Sequence, residues 1–324
     1  MSIDLGFDDG QAGIATALSQ FCEARCGATV VKGFDAEFPH ALWQDLASLG
    51  VLAVASEEGE GGAREVVAAM ETLGIALFPG PLAATLLATQ LSAPEERAEL
   101  TRGMKIAAVG RPPLFPFATV ATIFFEVEGD DVYRVRPRGA ITPVDTLGGE
   151  VWGRIECERT HRFDDASRAL ALYRIALAAY LVGASAGLLR AAAAHAATRK
   201  QFRQPIGQFQ AVAHPLADVH IRTEAARLLA RSAADQLERD ARTASFEASA
   251  AHYSARRAAI DAAHTCHQVF GASGITLEGP AYHYSRRIMQ LAALAPPPEV
   301  TAEGLYRESR RAARQRNEQG EEQR

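Results

Sequence analysis

Cysteine is scarce in this sequence, and so is any strong excess of one charge. Cys22, Cys26, Cys157 and Cys266 are too few and too scattered for a disulfide framework across 324 residues. Cys22 and Cys26 lie four apart and share a face if that stretch is helical, but no second cysteine or histidine pair completes a zinc-like set. The expectation is buried free thiols and no metal. A net charge of -5, with 23% charged residues, gives no basic surface for nucleic acid or an anionic membrane. The opening "MSIDLGFDDG" is acidic and lacks the apolar core of a secretory signal. One apolar run, residues 169–189, is long enough for a membrane, yet it carries Arg174 near its middle. A guanidinium there is costly in lipid, so a buried bundle helix is expected instead. No internal repeat is visible. These absences point to a cytoplasmic globular protein with a sizeable core.

What is present is mainly helix. Residues 12–26 and 38–54 carry apolar side chains at three- and four-residue spacing, and residues 59–91 continue that pattern after a glycine cluster until "FPGP" interrupts it. Near Lys105 the composition turns to Val, Ile, Phe and Tyr. "KIAAVG", "TVATIFFEVEG", "DVYRVRP" and "VWGRIECE", separated by "GDD", "RPRG" and "TLGG", read as short antiparallel strands. After "FDDASR" the chain returns to helix, with Asp164, Asp165 or Ser167 as N-cap candidates for a helix to about Lys200. Alanine-rich helices are expected over 210–237 and 244–270, where small side chains permit close packing. The fold class is therefore mainly α with a small β insert. Its expected order is an N-terminal helical domain (1–104), a reduced β-domain (105–160), a C-terminal four-helix bundle (161–306) and a polar tail (307–324), frayed or disordered.

The stretch "RKQFRQPIGQFQ", residues 199–210, resembles the signature of the acyl-CoA dehydrogenase family, with Arg203 standing where members usually have glycine. "LWQDLASLGVLAVASEEGEGG" and the glycine-rich segment "QVFGASGITLEGPAYHYSRRI" resemble two further family regions. The resemblance implies a flavoprotein that oxidises an acyl-CoA thioester at its α,β carbons, with FAD shared across a subunit interface. It implies that Arg199, Gln201, Phe202, Gln268, Gly271 and Ala272, the last in place of a family glycine, face the pyrophosphate and AMP half of FAD on a neighbouring chain. A guanidinium fork suits two phosphates, and glycine lets the backbone approach a ligand closely.

The other half of the pattern is missing. Where the family has a polar loop for the isoalloxazine, this chain has "VGRPPLFPFATVAT", and Trp152 lacks the neighbours of the family's tryptophan motif. The family's base is a glutamate at one of two places, which fall here on Ala295, nine residues beyond Arg286, and on Tyr173, 26 residues before Arg199. Neither is a ready base near neutral pH. Glu303 could substitute if the proline-rich loop were rerouted, and Glu278 is expected to be a structural carboxylate beside Arg286 or Arg287. The pattern is similar to short subunits of heteromeric actinobacterial acyl-CoA dehydrogenases, which serve fatty acid or steroid side-chain degradation. It implies an accessory subunit whose full-length partner carries the base. Two alternatives stand beside it: a self-sufficient homo-oligomeric dehydrogenase using Glu278 or Glu303, and a non-enzymatic scaffold on the same fold.

Overall fold

The computed structural model describes residues 5–26, 38–57, 59–146, 150–240 and 244–294, with 304, 306, 307, 309 and 310. Helix α1 (Asp9–Arg25) opens on a capping box. The Asp8 carboxylate accepts from the Gln11 N–H at 2.9 Å, and the Gln11 side chain accepts from the Asp8 N–H at 3.2 Å. Helix α2 (His40–Ser48) stops before Gly50, whose φ of 78° suits glycine. After the glycine cluster, α3 (Ala63–Ile75) starts with Glu65 accepting from the Gly62 N–H at 2.7 Å. The "FPGP" break separates it from α4 (Leu82–Leu91), and α5 (Pro94–Thr101) has proline in its first turn, where no N–H is needed.

Five strands follow: β1 (Ala107–Gly110), β2 (Leu114–Pro116), β3 (Ile123–Glu128), β4 (Asp131–Val144) and β5 (Trp152–Arg162), in the order β1-β3-β4-β5-β2. The expected all-antiparallel sheet is corrected at one edge, where β1 runs parallel to β3. The chain crosses from β1 to the far edge as β2 before returning as β3, so no hairpin joins them. A bridge between Arg111 and Leu114 brings the two edges together and curls the sheet toward closure. Alternation along β3 sends Ile123 and Phe125 to the core shared with α4, and Phe124 to the opposite core with Phe115 and Ile155.

The bundle consists of α6 (Ser167–Thr198), α7 (Gln210–Arg239), α8 (Ala244–Phe270) and α9 (Pro280–Ala293). The N-cap of α6 is Ala166, not one of the polar candidates, although the Asp165 carboxylate accepts from the Ser167 N–H at 3.1 Å. Helix α6 is long and apolar enough to cross a membrane by composition, but it is the core of the bundle, with 78% of its most apolar window buried. Arg174 explains the exception: it donates to Ser249 Oγ at 3.0 Å, to Asp130 at 3.1 Å and to the Gly129 carbonyl at 3.3 Å. Helices α3 and α6 approach so closely that a Cβ at Gly74 would lie 2.2 Å from the Tyr180 carbonyl oxygen, and one at Gly183 2.0 Å from that of Glu71. Buried Glu71 of α3 also accepts from Arg227 and Arg231 of α7 at 3.1 Å, and Arg231 stacks 3.7 Å from the Phe7 ring centroid. The thiols are all free, but only Cys22 and Cys266 are buried; Cys26, at the C-cap of α1, and Cys157, in the middle of β5, are half-buried.

Candidate functional site

Two regions concentrate chemistry. The first is one end of the bundle. Helix α6 ends at Arg199, and a two-residue turn joins strands β6 (Lys200–Gln201) and β7 (Gln204–Pro205). Phe202 and Arg203 fill that turn with φ of 51° and 66°. Two successive positive φ values match a type I′ hairpin, which favours glycine. The family glycine replaced by Arg203 is thus a conformational choice. One turn earlier, His195 packs its ring 4.7 Å from that of Phe270, which immediately precedes Gly271. This contact joins the end of α6 to the end of α8, so the hairpin and Gln268, Gly271 and Ala272 follow from the same end of the bundle. Burial, followed by the nearby Arg199 charge, lowers the His195 pKa.

All six residues singled out for a shared cofactor are exposed: Arg199, Gln201 and Phe202 on the hairpin side, and Gln268, Gly271 and Ala272 at the α8 terminus. The Arg199 guanidinium has no ion pair or hydrogen bond among the described residues, and the Phe202 side chain is 86% exposed, edge-on to Phe209 at 6.1 Å. Gly271 has φ of 59°, and a Cβ there would meet nothing within 4 Å. An unpaired guanidinium, a bare phenyl ring and an open backbone together make a surface able to accept a phosphate-bearing, partly apolar partner.

The second region is a cleft of about 290 Å³ between the sheet and the bundle. The β1–β2 turn, Trp152, Tyr173, Arg174, His252 and Leu294 line it, and Tyr173 and Leu294 also line an adjoining cavity of about 40 Å³. Among the described residues, neither cavity is lined by an aspartate or glutamate. Burial raises the Tyr173 phenol above its ordinary value, so it stays protonated. Ala295 and Glu303 lie outside the described residues, although Leu294, one position earlier, borders both cavities. Glu278 is exposed in the turn before α9 and lines neither cavity.

Of the two arginines expected near Glu278, Arg286 or Arg287, the second pairs with a different carboxylate. Arg287 is buried against Glu150, which also accepts from Gln290, and its Nε donates to the Tyr180 hydroxyl at 3.3 Å. Burial pulls the Arg287 pKa down, and the Glu150 carboxylate compensates its charge. Sequence reasoning missed Glu150 because a lone glutamate beside "TLGG" reads as turn; it missed His252 because one histidine in an alanine-rich helix carries no periodic signal. The flavin expectation divides across the two regions. The β1–β2 turn supplies no hydroxyl cluster, contains Pro112 and Pro113 without N–H groups, and packs on itself so tightly that a Cβ at Gly110 would sit 2.8 Å from the Leu114 carbonyl oxygen. It does not fit an isoalloxazine shelf. The bundle end does fit a diphosphate.

Residues 163–308 match the family model described as acyl-CoA dehydrogenase, C-terminal domain. The acyl-CoA dehydrogenase IpdE2 of Mycolicibacterium smegmatis is 28% identical over 272 residues, covering 79% of this chain and 84% of that protein. Among solved structures, a chain of the ChsE4-ChsE5 complex from Mycobacterium tuberculosis superposes with a TM-score of 0.79 at 24% identity, covering 98% of this chain and 99% of that one. A chain of the Tcur3481-Tcur3483 steroid ACAD G363A variant gives a TM-score of 0.81 at 21% identity, covering 96% and 99%. The signature at the bundle end lies within residues 163–308, which carry the acyl-CoA dehydrogenase C-terminal domain, and the helix–sheet–bundle order of the whole chain is the acyl-CoA dehydrogenase fold.

Proposed function

We propose that this chain is the accessory subunit of a heteromeric, FAD-dependent acyl-CoA dehydrogenase, completing the cofactor site of a full-length partner. The observation that carries the reading is a division within the molecule. The bundle end presents Arg199, Phe202 and Gln268 exposed, with no ion pair or hydrogen bond to the Arg199 guanidinium among the described residues, while the cleft has no carboxylate among its described lining residues. Arg199 would pair with the pyrophosphate, Phe202 would cover the cofactor's apolar surface, and the open backbone at Gly271 would lie against the AMP half. When bound, FAD accepts the hydride lost from the acyl β-carbon while a carboxylate takes the α-proton. In this reading that carboxylate belongs to the partner, because Tyr173 holds its proton and Glu278 lies away from both cavities. The kinship with IpdE2 and the likeness to a chain of a two-protein complex support the assignment. A cytoplasmic location belongs to the same reading and is supported by the burial of α6 within the bundle.

The test is purification alone and with a partner. By itself the chain should be colourless and inactive toward acyl-CoA thioesters. Co-expression with a full-length family member encoded beside it should yield a yellow, active complex. A yellow, active oligomer of this chain alone would sink the proposal and favour the self-sufficient alternative.

A further inference from the structure

Helix α1 carries two cysteines on the face it turns toward the core. Cys22 belongs to the main apolar cluster and is 5% exposed; Cys26, one turn on, packs against the same cluster and is half-buried. Residues four apart stack on one helix face, with Cβ atoms roughly 5–6 Å apart. The two thiols hydrogen-bond to each other, and that bond is the largest influence on both. It raises Cys22 far above the ordinary thiol value and lowers Cys26, where burial opposes it and the Arg25 charge assists. Burial, then Tyr284 and the two thiols, hold the Tyr180 phenol well above its ordinary value, so both sulfurs face α6. Cys26 is the C-cap of α1, with φ of -106° and ψ of 40°, and its N–H donates to the Cys22 carbonyl at 2.7 Å. A residue at a helix end can leave the ladder while the turns before it persist.

We propose that Cys22 and Cys26 are a dithiol modification site, oxidised by a hydroperoxide to an intrachain disulfide. Cys26 is the half-buried member, so the oxidant reaches it first. Its thiolate attacks one peroxide oxygen: an S–O bond forms, the O–O bond breaks, and the other oxygen leaves, taking up a proton. The Cys22 sulfur then attacks the Cys26 sulfenic acid, an S–S bond replaces the S–O bond, and the hydroxyl departs with the Cys22 proton as water. Two thiols lose two electrons and the peroxide gains them. A disulfide needs Cβ atoms ~3.5–4.5 Å apart, so closure draws Cys26 inward by roughly 1–2 Å and opens the last turn of α1. Burial chiefly raises the other two thiols, Cys266 to about 12, which keeps them protonated and slow to react. None of the six half-site residues lies on α1, so the inference stands apart from the accessory role.

Hydrogen peroxide treatment of the full chain, followed by unreduced peptide mapping, tests it. Trypsin cuts after Arg25, between the two cysteines, so the bridge links two peptides that dithiothreitol separates. Thiols titrated in the denatured chain should fall from the four free cysteines by the pair in the bridge, and reduction should restore them. Cys26→Ser should abolish the bridge and slow thiol loss at least about tenfold. Cys22→Ser should halt Cys26 at the sulfenic acid, which dimedone traps; Cys22→Ala replaces it if serine disturbs the core. Amide exchange in residues 23–26 should quicken on oxidation. A bridge through Cys157 or Cys266, Cys26 driven to sulfinic acid with no bridge, wild-type thiol loss in Cys26→Ser, or unchanged exchange at the end of α1 overturns the proposal.

Discussion

Arg203 occupies a backbone conformation that its own Cβ opposes. Its φ of 66° follows 51° at Phe202, so two adjacent side-chain-bearing residues take the left-handed region in one tight turn. The left-handed conformation costs an L-residue roughly 1–2 kcal/mol that glycine avoids, although glycine gives up part of that gain through greater freedom when unfolded. Arg203→Gly is therefore expected to stabilise the chain by about 0.5–1 kcal/mol, read from the urea midpoint. A loss of stability would mean that the guanidinium makes a contact worth more than the strain. Family resemblance marked this position as a departure, and the hairpin supplies the reason that glycine belongs there.

At the scale of elements, polar groups inside the helical packing set the sensitivities. Glu71 holds α3 to α7 by accepting from Arg227 and Arg231, and its side chain is 7% exposed. Removing it leaves two partly buried guanidiniums without that carboxylate. Glu71→Ala should lower unfolding free energy by about 3–5 kcal/mol, measured by denaturant titration; a loss under about 1 kcal/mol would place the triad among weak surface pairs. His252, on α8 against Arg174 of α6, gives a pH dependence. Its folded pKa of about 3 lies below the ordinary histidine value, about 6.5 when unfolded. Between these values the unfolded chain binds a proton that the folded chain refuses. Stability should therefore fall as pH drops below about 6.5, with His252 contributing up to about 1.4 kcal/mol per pH unit. Unfolding curves from pH 7.5 to 5 should show a shallower slope for His252→Gln than for wild type, and equal slopes would refute the assignment.

The whole molecule divides its labour unevenly. One end of the bundle displays Arg199, which has no ion pair or hydrogen bond among the described residues, and an 86% exposed Phe202, while the cleft between sheet and bundle shows no aspartate or glutamate among its described lining residues. In a complex with a full-length partner, Arg199→Ala should weaken flavin retention about 10–100-fold, the loss of one or two charge-assisted hydrogen bonds. Flavin-to-protein absorbance after extensive dialysis measures it, with assembly checked by size exclusion. Unchanged flavin content would assign Arg199 to solvent and leave the scaffold reading in its place.

Much of the fold was legible because periodicity is a local signal. The alanine spacing over 244–270 coincides with α8, "FPGP" marks the break before α4, and Arg174 in an apolar run announced a buried helix in place of a membrane span. The six exposed half-site positions were legible only through resemblance, since nothing in an isolated Arg199 or Gln268 distinguishes it from an ordinary surface residue. Other features required the tertiary structure. The parallel pairing of β1 with β3, the β2 strand hidden among prolines, the Glu150–Arg287 pair and the orphaned Nε2 of His252 all depend on which distant segment covers a given face. A side chain's spacing along the chain records that it is buried; what lies opposite it is decided by the packing of elements far apart in sequence.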